Sequence, residues 1–517
     1  MAFTLRGAER MLETPPQGSA LSQRQLWLIF MAALALHVLP LILADYAYID
    51  DIWRSMTAGV IEGRANSWAG QGRILVDWLY AVLGGAGVAP DLFPLPLLLA
   101  VVIVARALAS LTAHYFERPV LADVLVVLPL WFSPFFLQNL SYQYDGPAMG
   151  LALAACVWAI TAGSGSAGRW LLGSLLLTAV LSLYQPAINV FAILCCIEIL
   201  HQVGSGLACK PVFRRLALRL GQLTVGCLLY HQTAYRLTVE QRTRLVSVDA
   251  QLPAEILARL ELIGQDIALL ATAANGWVYI GVLVLAMVGL KLTLMQIWAG
   301  HSARIETYAL GGLVLLTLPA AYILISGVAL VLAHFQHGAR LLMGWGAVMV
   351  MLAWLARRAL VAIHPRLAWV LALPLALMLS MAFAYGRVLL LQKELQHAFV
   401  YTLVTTLQTH PRLQGIDRIY LYGQHEKGKW LPAARGTFKA MPVLRPILNF
   451  EDWVLSEALP RAGLTQVNRV TKRFFLSLRE RNPLPVVKTR FFSVYRVDEY
   501  ALVLLNAPRE PEEQSAW

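Results

Sequence analysis

The sequence is short of charge: Asp, Glu, Lys and Arg make up only 14% of its 517 residues, whereas hydrophobic residues make up 58%. Soluble domains carry about 25% charged and roughly 45–50% apolar residues, so this composition excludes an ordinary soluble globular protein. Apolar runs recur from residue 25 to about residue 386. Each is about 20 residues long, enough to cross a hydrocarbon core roughly 30 Å thick. The chain is therefore expected to be a polytopic membrane protein.

Cysteine is also scarce, which bears on zinc sites and disulfides. The five cysteines lie within expected spans or beside an expected cytoplasmic loop: Cys156, Cys195, Cys196, Cys209 and Cys227. They lack the paired spacing of zinc ligands, so neither a zinc site nor a disulfide is expected.

A net charge of +12 would suit nucleic acid as a partner, but the distribution of the charge argues against it. Much of the positive charge lies in short segments between the apolar runs, as the positive-inside rule of membrane proteins produces. The expected partner is therefore the lipid bilayer, and nucleic acid is not expected.

Hydropathy and charge together predict eleven transmembrane helices. They are placed at 25–44, 92–113, 119–139, 146–163, 169–185, 186–203, 216–236, 274–297, 307–331, 338–357 and 366–386. A twelfth span at 73–89 would send the basic clusters to conflicting sides of the membrane. This short segment is instead interpreted as a helix at the interface, where Trp78 and Tyr80 would lie comfortably.

Three parts of the chain follow from this topology. Residues 1–24 are a cytoplasmic N-terminal segment, and residues 25–386 are a transmembrane module with an exported first loop at 45–91. Residues 387–517 are an exported soluble domain. A helix near 388–409 and strand-like stretches at 419–423 and 491–507 predict that this domain is small and α+β. The predicted fold is thus an all-α membrane bundle with a C-terminal α+β domain.

The strongest chemical signal is YIDDIWR at 48–54, directly after the first span. In one interpretation, one carboxylate caps a helix and the other pairs with Arg54 one turn later. In the other, one carboxylate is a general base for a hydroxyl, and its neighbour and Arg54 fix its position. Adjacent residues on a helix point about 100° apart, so Asp50 and Asp51 are not expected to touch one substrate atom in the same way.

An acidic pair directly after the first membrane helix resembles the hallmark of the GT-C superfold of membrane glycosyltransferases. Further motifs are DDxxR at 50–54, GQGR at 70–73, NLSYQYDGPAM at 139–149 and SLYQPAIN at 182–189. Together they resemble the type II serotype-converting O-antigen glucosyltransferases of bacteria and their phages. The likeness covers roughly the first 200 residues, whereas the later spans and the tail match only in layout.

The resemblance implies a substrate pair and a place in the cell. The donor would be a hexose, glucose before others, on undecaprenyl phosphate, and the acceptor would be lipopolysaccharide O-antigen or a related surface glycan. The site would face the periplasm from the bacterial inner membrane, with the N-terminus cytoplasmic and the C-terminal domain periplasmic. No metal and no other cofactor is expected.

The resemblance also implies an inverting single displacement, with Asp50 as the base and Asp51 as its partner or as a ligand of the sugar or a metal. The topology gathers the expected substrate-binding residues on the same side: Arg54, Arg73, Tyr144, Asp145, Tyr184, Gln185, His334, His337 and Arg340. Three of these are candidates for binding the departing phosphate: Arg340, His337 and Arg73.

Simpler interpretations of these residues remain open. Asp145 before Gly-Pro suits the N-cap of a helix, and Tyr184 suits plain anchoring at the interface. The histidines and Arg340 in the segment 332–340 could form a solvated turn in which Arg340 reaches to headgroups.

Two other functions remain as alternatives. One is another GT-C transferase, with mannose, arabinose or aminoarabinose as the sugar and protein, lipid A or a cell-wall polymer as the acceptor. The other is a non-enzymatic flippase of lipid-linked sugars. A transporter should show paired inverted halves with discontinuous helices, and the sequence predicts neither. Excess basic and aromatic residues in 387–517 would suit an anionic polysaccharide.

Overall fold

A computed structural model of the chain describes residues 20–59, 67–85, 87–163, 165–239, 244–300, 304–335, 337–416, 418–423, 431–448, 457–481 and 484–506. Most of the described residues are helical. The helices of the bundle and its loops are α1 (Gln23–Ala44), α2 (Asp51–Thr57), α3 (Ile74–Gly84), α4 (Leu95–Tyr115), α5 (Leu121–Val127), α6 (Pro129–Phe132), α7 (Phe136–Ser141), α8 (Asp145–Thr161), α9 (Ala167–Leu183), α10 (Ile188–Gly204), α11 (Cys209–Gln232), α12 (Leu252–Ala268), α13 (Gly276–Gly300), α14 (Arg304–Ile323), α15 (Gly344–Ile363) and α16 (Ala372–Thr409).

Seven helical segments in the described part are long and apolar enough to cross a membrane. They are Gln23–Ala44, Leu95–Tyr115, Gln185–Gly204, Gly276–Ala299, Arg304–Ile323, Gly344–Ile363 and Pro365–Thr409. Four further apolar helices are shorter: Ile74–Gly84, Leu121–Phe132, Asp145–Thr161 and Ala167–Leu183. The membrane character is confirmed, whereas the count of eleven spans is not.

The first helix shows how the sequence sets the bounds of an element. Ser22 and Gln25 form a capping box, in which the Ser22 hydroxyl accepts the Gln25 N–H and the Gln25 side chain accepts the Ser22 N–H. The helix ends at Asp45, which adopts a left-handed conformation with φ of 43°. Its fully buried side chains recur every four residues, at Leu26, Phe30, Leu34 and Val38. This spacing lays one face of the helix against the bundle.

The span expected at 119–139 is interrupted. It consists of α5 and α6, a break at Ser133-Pro134, and α7. Ser133 is extended, with ψ of 124°, because a proline disfavours the helical conformation of the residue before it. The expectation that no membrane helix is discontinuous is therefore wrong for this segment, and α7 turns the chain toward the loop at 142–145.

The last span and the expected helix near 388–409 are one element. Helix α16 runs unbroken for 38 residues, which corresponds to about 57 Å at 1.5 Å per residue. That is nearly twice the roughly 30 Å of a hydrocarbon core. About half of α16 therefore extends beyond the bundle and carries the C-terminal domain. Between residues 237 and 273 the described part of the chain contains one α-helix, α12.

The C-terminal domain contains a five-stranded sheet in the order β2-β1-β5-β4-β3. The strands are β1 (Arg418–Gly423), β2 (Val467–Arg469), β3 (Val487–Lys488), β4 (Phe492–Val497) and β5 (Tyr500–Leu505). Its helices are α17 (Arg435–Ala440), α18 (Leu444–Ile447) and α19 (Lys472–Arg479). Strand β1 is parallel to β2 and β5, whereas β4 is antiparallel to β5 and β3. The strand-like stretches predicted at 419–423 and in 491–507 are confirmed, the first as β1 and the second as the hairpin of β4 and β5.

The C-terminal domain packs directly on the first loop. Ile52 of α2 is 3% exposed and belongs to the same apolar cluster as Leu403 of α16 and Val503 of β5. The hydroxyl of Tyr48 donates to the carbonyl oxygen of Ile447 at 2.7 Å. The segment that carries the acidic pair is therefore held between the bundle and the tail.

Candidate functional site

Six segments meet at one end of the bundle. They are the loop after α1, the helix α2, the segment 67–73 before α3, the N-terminus of α8, the turn after α9 and the short 3-10 turn that precedes α15. Each segment carries residues that the sequence had marked. The quoted motifs, far apart in the chain, therefore converge because the helices that bear them begin or end at the same face.

Asp145 is the centre of this convergence. Its carboxylate accepts the indole N–H of Trp68 at 2.9 Å, and it pairs with Arg73 at 3.3 Å and with Nε of Arg54 at 3.5 Å. It is the first residue of α8, after Tyr144 at the N-cap position, which has no side-chain cap bond. The interpretation of Asp145 as a simple N-cap is thus wrong. The helix N-terminus favours its negative charge. We call Asp145, Arg54, Arg73 and Trp68 the Asp145 cluster.

Arg54 is 1% exposed, and its Cζ atom lies over the ring of Trp68, 4.3 Å from the ring centroid. Its Nη1 atom has no hydrogen-bond partner among the described residues. A buried charged donor without a partner is strongly destabilising, so Nη1 is available to a ligand. The pairing of Arg54 with an acid of its own helix is wrong, because its partner is Asp145.

Asp51 is fully buried and holds two loops together. One of its oxygens accepts the backbone N–H groups of Tyr48 at 2.9 Å and Gln143 at 2.8 Å. The other accepts the N–H of Tyr144 at 3.2 Å. Burial raises the pKa of Asp51 to about 8, while these hydrogen bonds act to lower it. Its carboxylate is occupied by the backbone and fixes the turn at 142–145 against the first loop.

Asp50, the neighbouring residue, is partly exposed. It occupies the N-cap position of α2 but makes no capping hydrogen bond, so the interpretation of an ordinary helix cap is wrong. Burial, followed by the charge of Asp145, raises its pKa. Three arginines act in the opposite direction: Arg54, Arg340 and Arg73. Asp50 is therefore a carboxylate in the electrostatic field of three cations.

The turn after α9 forms one wall of the site. Tyr184 is 1% exposed, and its hydroxyl donates to the carbonyl oxygen of Arg340 at 3.1 Å. The guanidinium of Arg73 lies 4.9 Å from the centroid of its ring. Gln185 accepts from Arg73 at 3.4 Å and donates to Tyr230 at 3.0 Å. Tyr184 is thus an internal residue, and its interpretation as an interfacial anchor is wrong.

Arg340 points into the protein. Its Nη1 donates to the hydroxyl of Tyr142 at 2.7 Å, and its backbone N–H donates to Gln138 at 2.6 Å. The interpretation that Arg340 belongs to a solvated turn and reaches to headgroups is therefore wrong. His337 instead pairs with Asp266 of α12 at 2.8 Å, and His334 is exposed. No hydrogen bond or ion pair between described residues joins either histidine to the Asp145 cluster.

Several aromatic and amide side chains of the site were not singled out from the sequence. Tyr80 is buried rather than interfacial: its hydroxyl donates to the carbonyl oxygen of Tyr144 at 2.8 Å, and its ring stacks on Trp68. Trp68 stands two residues before the GQGR motif, which could have revealed it. Gln138 and Tyr230 reach the site from α7 and α11; Gln138 directly precedes the motif at 139–149, which could have revealed it, whereas none of the quoted motifs lies near Tyr230.

No group of three or more His, Cys, Asp or Glu residues that could hold a metal ion is present within the described ranges. The absence of a metal requirement stays a prediction. Arg54, Arg340 and Arg73, whose charges act on Asp50, are the side chains that could bind a phosphate.

Comparison with known proteins agrees with the motifs. The glucosyl transferase GtrII family matches residues 39–351, more than half of the chain. A protein of Salmonella phage P22, described as an uncharacterized 55.3 kDa protein in the gtrB 5' region, is 29% identical over 203 residues. The match covers 39% of this chain and 41% of that protein, so the chain spans less than half the length of this relative. No solved structure matches. The chain belongs to the GtrII family of glucosyl transferases.

Proposed function

We propose that this protein transfers glucose from undecaprenyl phosphate to the O-antigen or a related surface glycan at the periplasmic face of the inner membrane. Membership in the family supports glycosyl transfer. One observation carries the residue assignment: Asp50 is a partly exposed carboxylate that three arginines surround electrostatically. Beside it, Arg54 offers a buried donor that no described residue uses.

In the proposed reaction Asp50 is the general base. Its carboxylate takes the proton of an acceptor hydroxyl, whose oxygen forms the new bond to the anomeric carbon of glucose. The bond from that carbon to the phosphate oxygen breaks, and the electron pair leaves with the lipid phosphate. A single displacement of this kind inverts the anomeric centre. Because burial raises the pKa of Asp50, the residue is a stronger base than a solvated aspartate.

The departing phosphate gains negative charge and needs cationic donors. Arg340 and Arg73 are assigned this role, because both act on Asp50 and each is held in place by polar partners. Charge-assisted hydrogen bonds from preorganised guanidinium groups stabilise such charge strongly. His337 fits the role less well, since it pairs with Asp266.

Asp51 is assigned a positioning role instead of contact with substrate. Its three backbone hydrogen bonds hold Tyr144 and therefore the start of α8. The same bonds fix the direction in which α2 presents Asp50. In this proposal the two adjacent acids act differently, as expected for side chains that point about 100° apart on a helix.

The orientation in the membrane is part of the proposal. The N-terminus lies in the cytoplasm, and the site and the domain after α16 lie in the periplasm. The distribution of basic residues supports this, because Lys210, Arg214 and Arg215 lie at the start of α11 and Arg357 and Arg358 lie near the end of α15, away from the ends that reach the site. An excess of Arg at one end marks the cytoplasmic side.

A transfer assay with purified full-length protein, synthetic undecaprenyl-phosphate-glucose and lipopolysaccharide tests the proposal. Wild-type protein is expected to transfer glucose with or without a chelator, and Asp50→Asn to lower the rate by about 10²–10⁴-fold. The matched control is Asp498→Asn in the tail, whose side chain is 73% exposed, and full activity is expected for it. Full activity of Asp50→Asn would contradict the assignment of the base.

The interrupted segment formed by α5, α6 and α7 favours one alternative function, a flippase of lipid-linked sugars, which should be tested in parallel. Discontinuous helices are a feature of transporters. Vesicles that contain the protein and a labelled lipid-linked sugar distinguish the two functions. Movement of the lipid between leaflets without glycosyl transfer would support a flippase and contradict the enzyme.

A further inference from the structure

A polar cavity lies next to the acidic pair and outside the Asp145 cluster. Six parts of the chain enclose it: the segment after α1, helix α2, the loop before α4, the turn at 142–145, the protruding half of α16 and the tail segment that contains Ala458 and Arg461. Its volume is about 250 Å³. Its polar lining includes Asp45, Asp91, Gln143, Lys393, Gln396 and Arg461. We call it the side cavity.

Gln396 gives the first indication that the side cavity is a built site. Its side chain lies on α16 in the wall of the cavity, and the residue is only 5% exposed. Its Nε2 atom has no hydrogen-bond partner in the described part of the chain. Burial of an amide donor without a partner is destabilising, so a ligand in the cavity that brings a hydrogen-bond acceptor to Gln396 would relieve this cost.

The charges of the lining indicate what kind of ligand fits. Asp45 and Asp91 balance Lys393 and Arg461 in formal charge, and Lys393 pairs with Asp45 at 3.2 Å. A lining without excess positive charge disfavours a phosphate. A mixture of carboxylates, cations and amides suits sugar hydroxyls, because each hydroxyl both donates and accepts. The volume lies just below the roughly 300–1,000 Å³ of pockets for drug-sized ligands, which fits one sugar ring.

The position of the side cavity connects it to Asp50. Ile52, which lines the cavity, is two residues from Asp50 on the same short segment. Glu457 immediately precedes the lining residue Ala458, and its Oε2 is buried without a partner among the described residues. Burial, followed by the charge of Asp50, raises the pKa of Glu457 to about 8. Asp50 itself does not line the cavity, but Ala47 and Ile52 on either side of it do, so a ligand in the cavity lies against the segment that carries the proposed base.

We propose that the side cavity binds one neutral sugar residue of the acceptor glycan and thereby brings the next hydroxyl of that glycan to Asp50. This inference rests on the proposed function, since it gives the acceptor a place distinct from the donor. It assigns to the C-terminal domain a direct part in acceptor choice. The sequence alone suggested an anionic polysaccharide for this domain, whereas the balanced lining favours an uncharged sugar.

The test uses full-length protein and the substitution Gln396→Met, which removes the amide and keeps a side chain of similar length. The matched control is Gln392→Met, one turn earlier on α16, where Gln392 is 2% exposed and does not line the cavity. The KM for the acceptor is expected to rise about threefold to tenfold in Gln396→Met, the effect of losing one neutral hydrogen bond. The KM for the donor and its slow hydrolysis without acceptor are expected to stay unchanged. The control should alter neither KM.

A second variant and a binding measurement cover the case in which Gln396→Met folds poorly. Ala462→Phe would narrow the cavity from the tail side and should raise the same KM. Binding of a free O-antigen oligosaccharide to full-length protein, followed by ligand-detected NMR, should weaken in both variants. An unchanged acceptor KM, or a raised donor KM, would overturn the inference. Oligosaccharide binding that depends on Gln396, in a protein that transfers no glucose, would retain the site and refute the proposed function.

Discussion

The two ends of the helix bundle use acidic residues in different ways. At the end opposite the site, Glu198 of α10 lies between His114 at 2.6 Å and Arg219 at 3.9 Å. Asp123 of α5 pairs with Arg357 of α15 and accepts the N–H of Val120. In each case both carboxylate oxygens have partners from the chain, and the pair joins two or three helices.

At the site end the carboxylates divide into two kinds. Asp51 and Asp145 resemble the acids of the opposite end, because donors from the chain occupy their oxygens. Asp50 does not, since it neither caps its helix nor forms an ion pair with another described residue. A carboxylate whose oxygens are both occupied thus holds helices together, whereas Asp50, which has no such partners among the described residues, is left for chemistry.

The largest effects are expected when an amide group replaces the carboxylate at each of the two adjacent acids, Asp50 and Asp51. Asp51→Asn would face an N–H₂ group toward the backbone N–H donors of Tyr48, Gln143 or Tyr144. A buried donor opposed by donors costs about 1–3 kcal/mol, so the yield of folded protein and its melting temperature should fall. Asp50→Asn should lose the transfer rate and keep the melting temperature of wild type. Equal thermal stability of the two variants would break the distinction between them.

Glu198→Gln at the opposite end should give the converse result. Removing the charge weakens its contacts with His114 and Arg219. Loss of one buried charged contact is expected to lower the free energy of unfolding by about 1–3 kcal/mol. The transfer rate per folded molecule should remain within about threefold of wild type. Thermal unfolding in detergent and the transfer assay check both parts, and a large loss of rate in stable protein would show that the opposite end takes part in catalysis.

A smaller but more specific effect is expected for the pH dependence of transfer. Asp50 must be ionised to act as a base, so the rate should rise with pH through its pKa. Arg340 lowers that pKa, and Arg340→Gln should therefore move the acid limb of the profile to higher pH. Arg357→Gln at the opposite end is the control and should leave the position of the limb unchanged. If the acid limb of the Arg340→Gln profile moved to lower pH, or did not move, the proposed effect of Arg340 on the pKa of Asp50 would be contradicted.

The smallest effect is expected at His337, whose ion pair with Asp266 raises its pKa. The stabilisation by this pair should be fully present below the usual pKa of histidine and should disappear as pH rises through the raised value. His337→Ala should thus lower the melting temperature slightly at low pH only, with little change in transfer. His334→Ala, at an exposed position, should change neither. A large loss of glucose transfer in His337→Ala would instead support the role of His337 in binding the departing phosphate.

Much of the architecture could be predicted because its causes are local. The capping box at Ser22 and Gln25 lies at the start of one helix, and the strand-like stretches at 419–423 and 491–507 correspond to one strand and to one hairpin of neighbouring strands. The interruption before Pro134 also has a local cause, but the apolar run around it hides the break from a reading of hydropathy. The continuity of α16 was missed because polar residues after 387 suggested a boundary where the helix simply leaves the bundle.

The composition of the site was predictable only in part. The motifs named Asp145, Arg73 and Gln185, and the structure brings them together. The different roles of the two adjacent acids could not be predicted, because two of the three partners of Asp51 are backbone N–H groups more than 90 residues away, at Gln143 and Tyr144. The pairing of His337 with Asp266 likewise depends on the packing of α12.

Chemical rescue tests the role of Asp50 most directly. Replacement by alanine at residue 50 or at residue 51 leaves a space into which formate can bring a carboxylate. If Asp50 is the base, added formate should restore part of the glucose transfer in Asp50→Ala and none in Asp51→Ala, whose fault is in its backbone contacts. Rescue of Asp51→Ala, or undiminished transfer by Asp50→Ala without formate, would contradict the assignment.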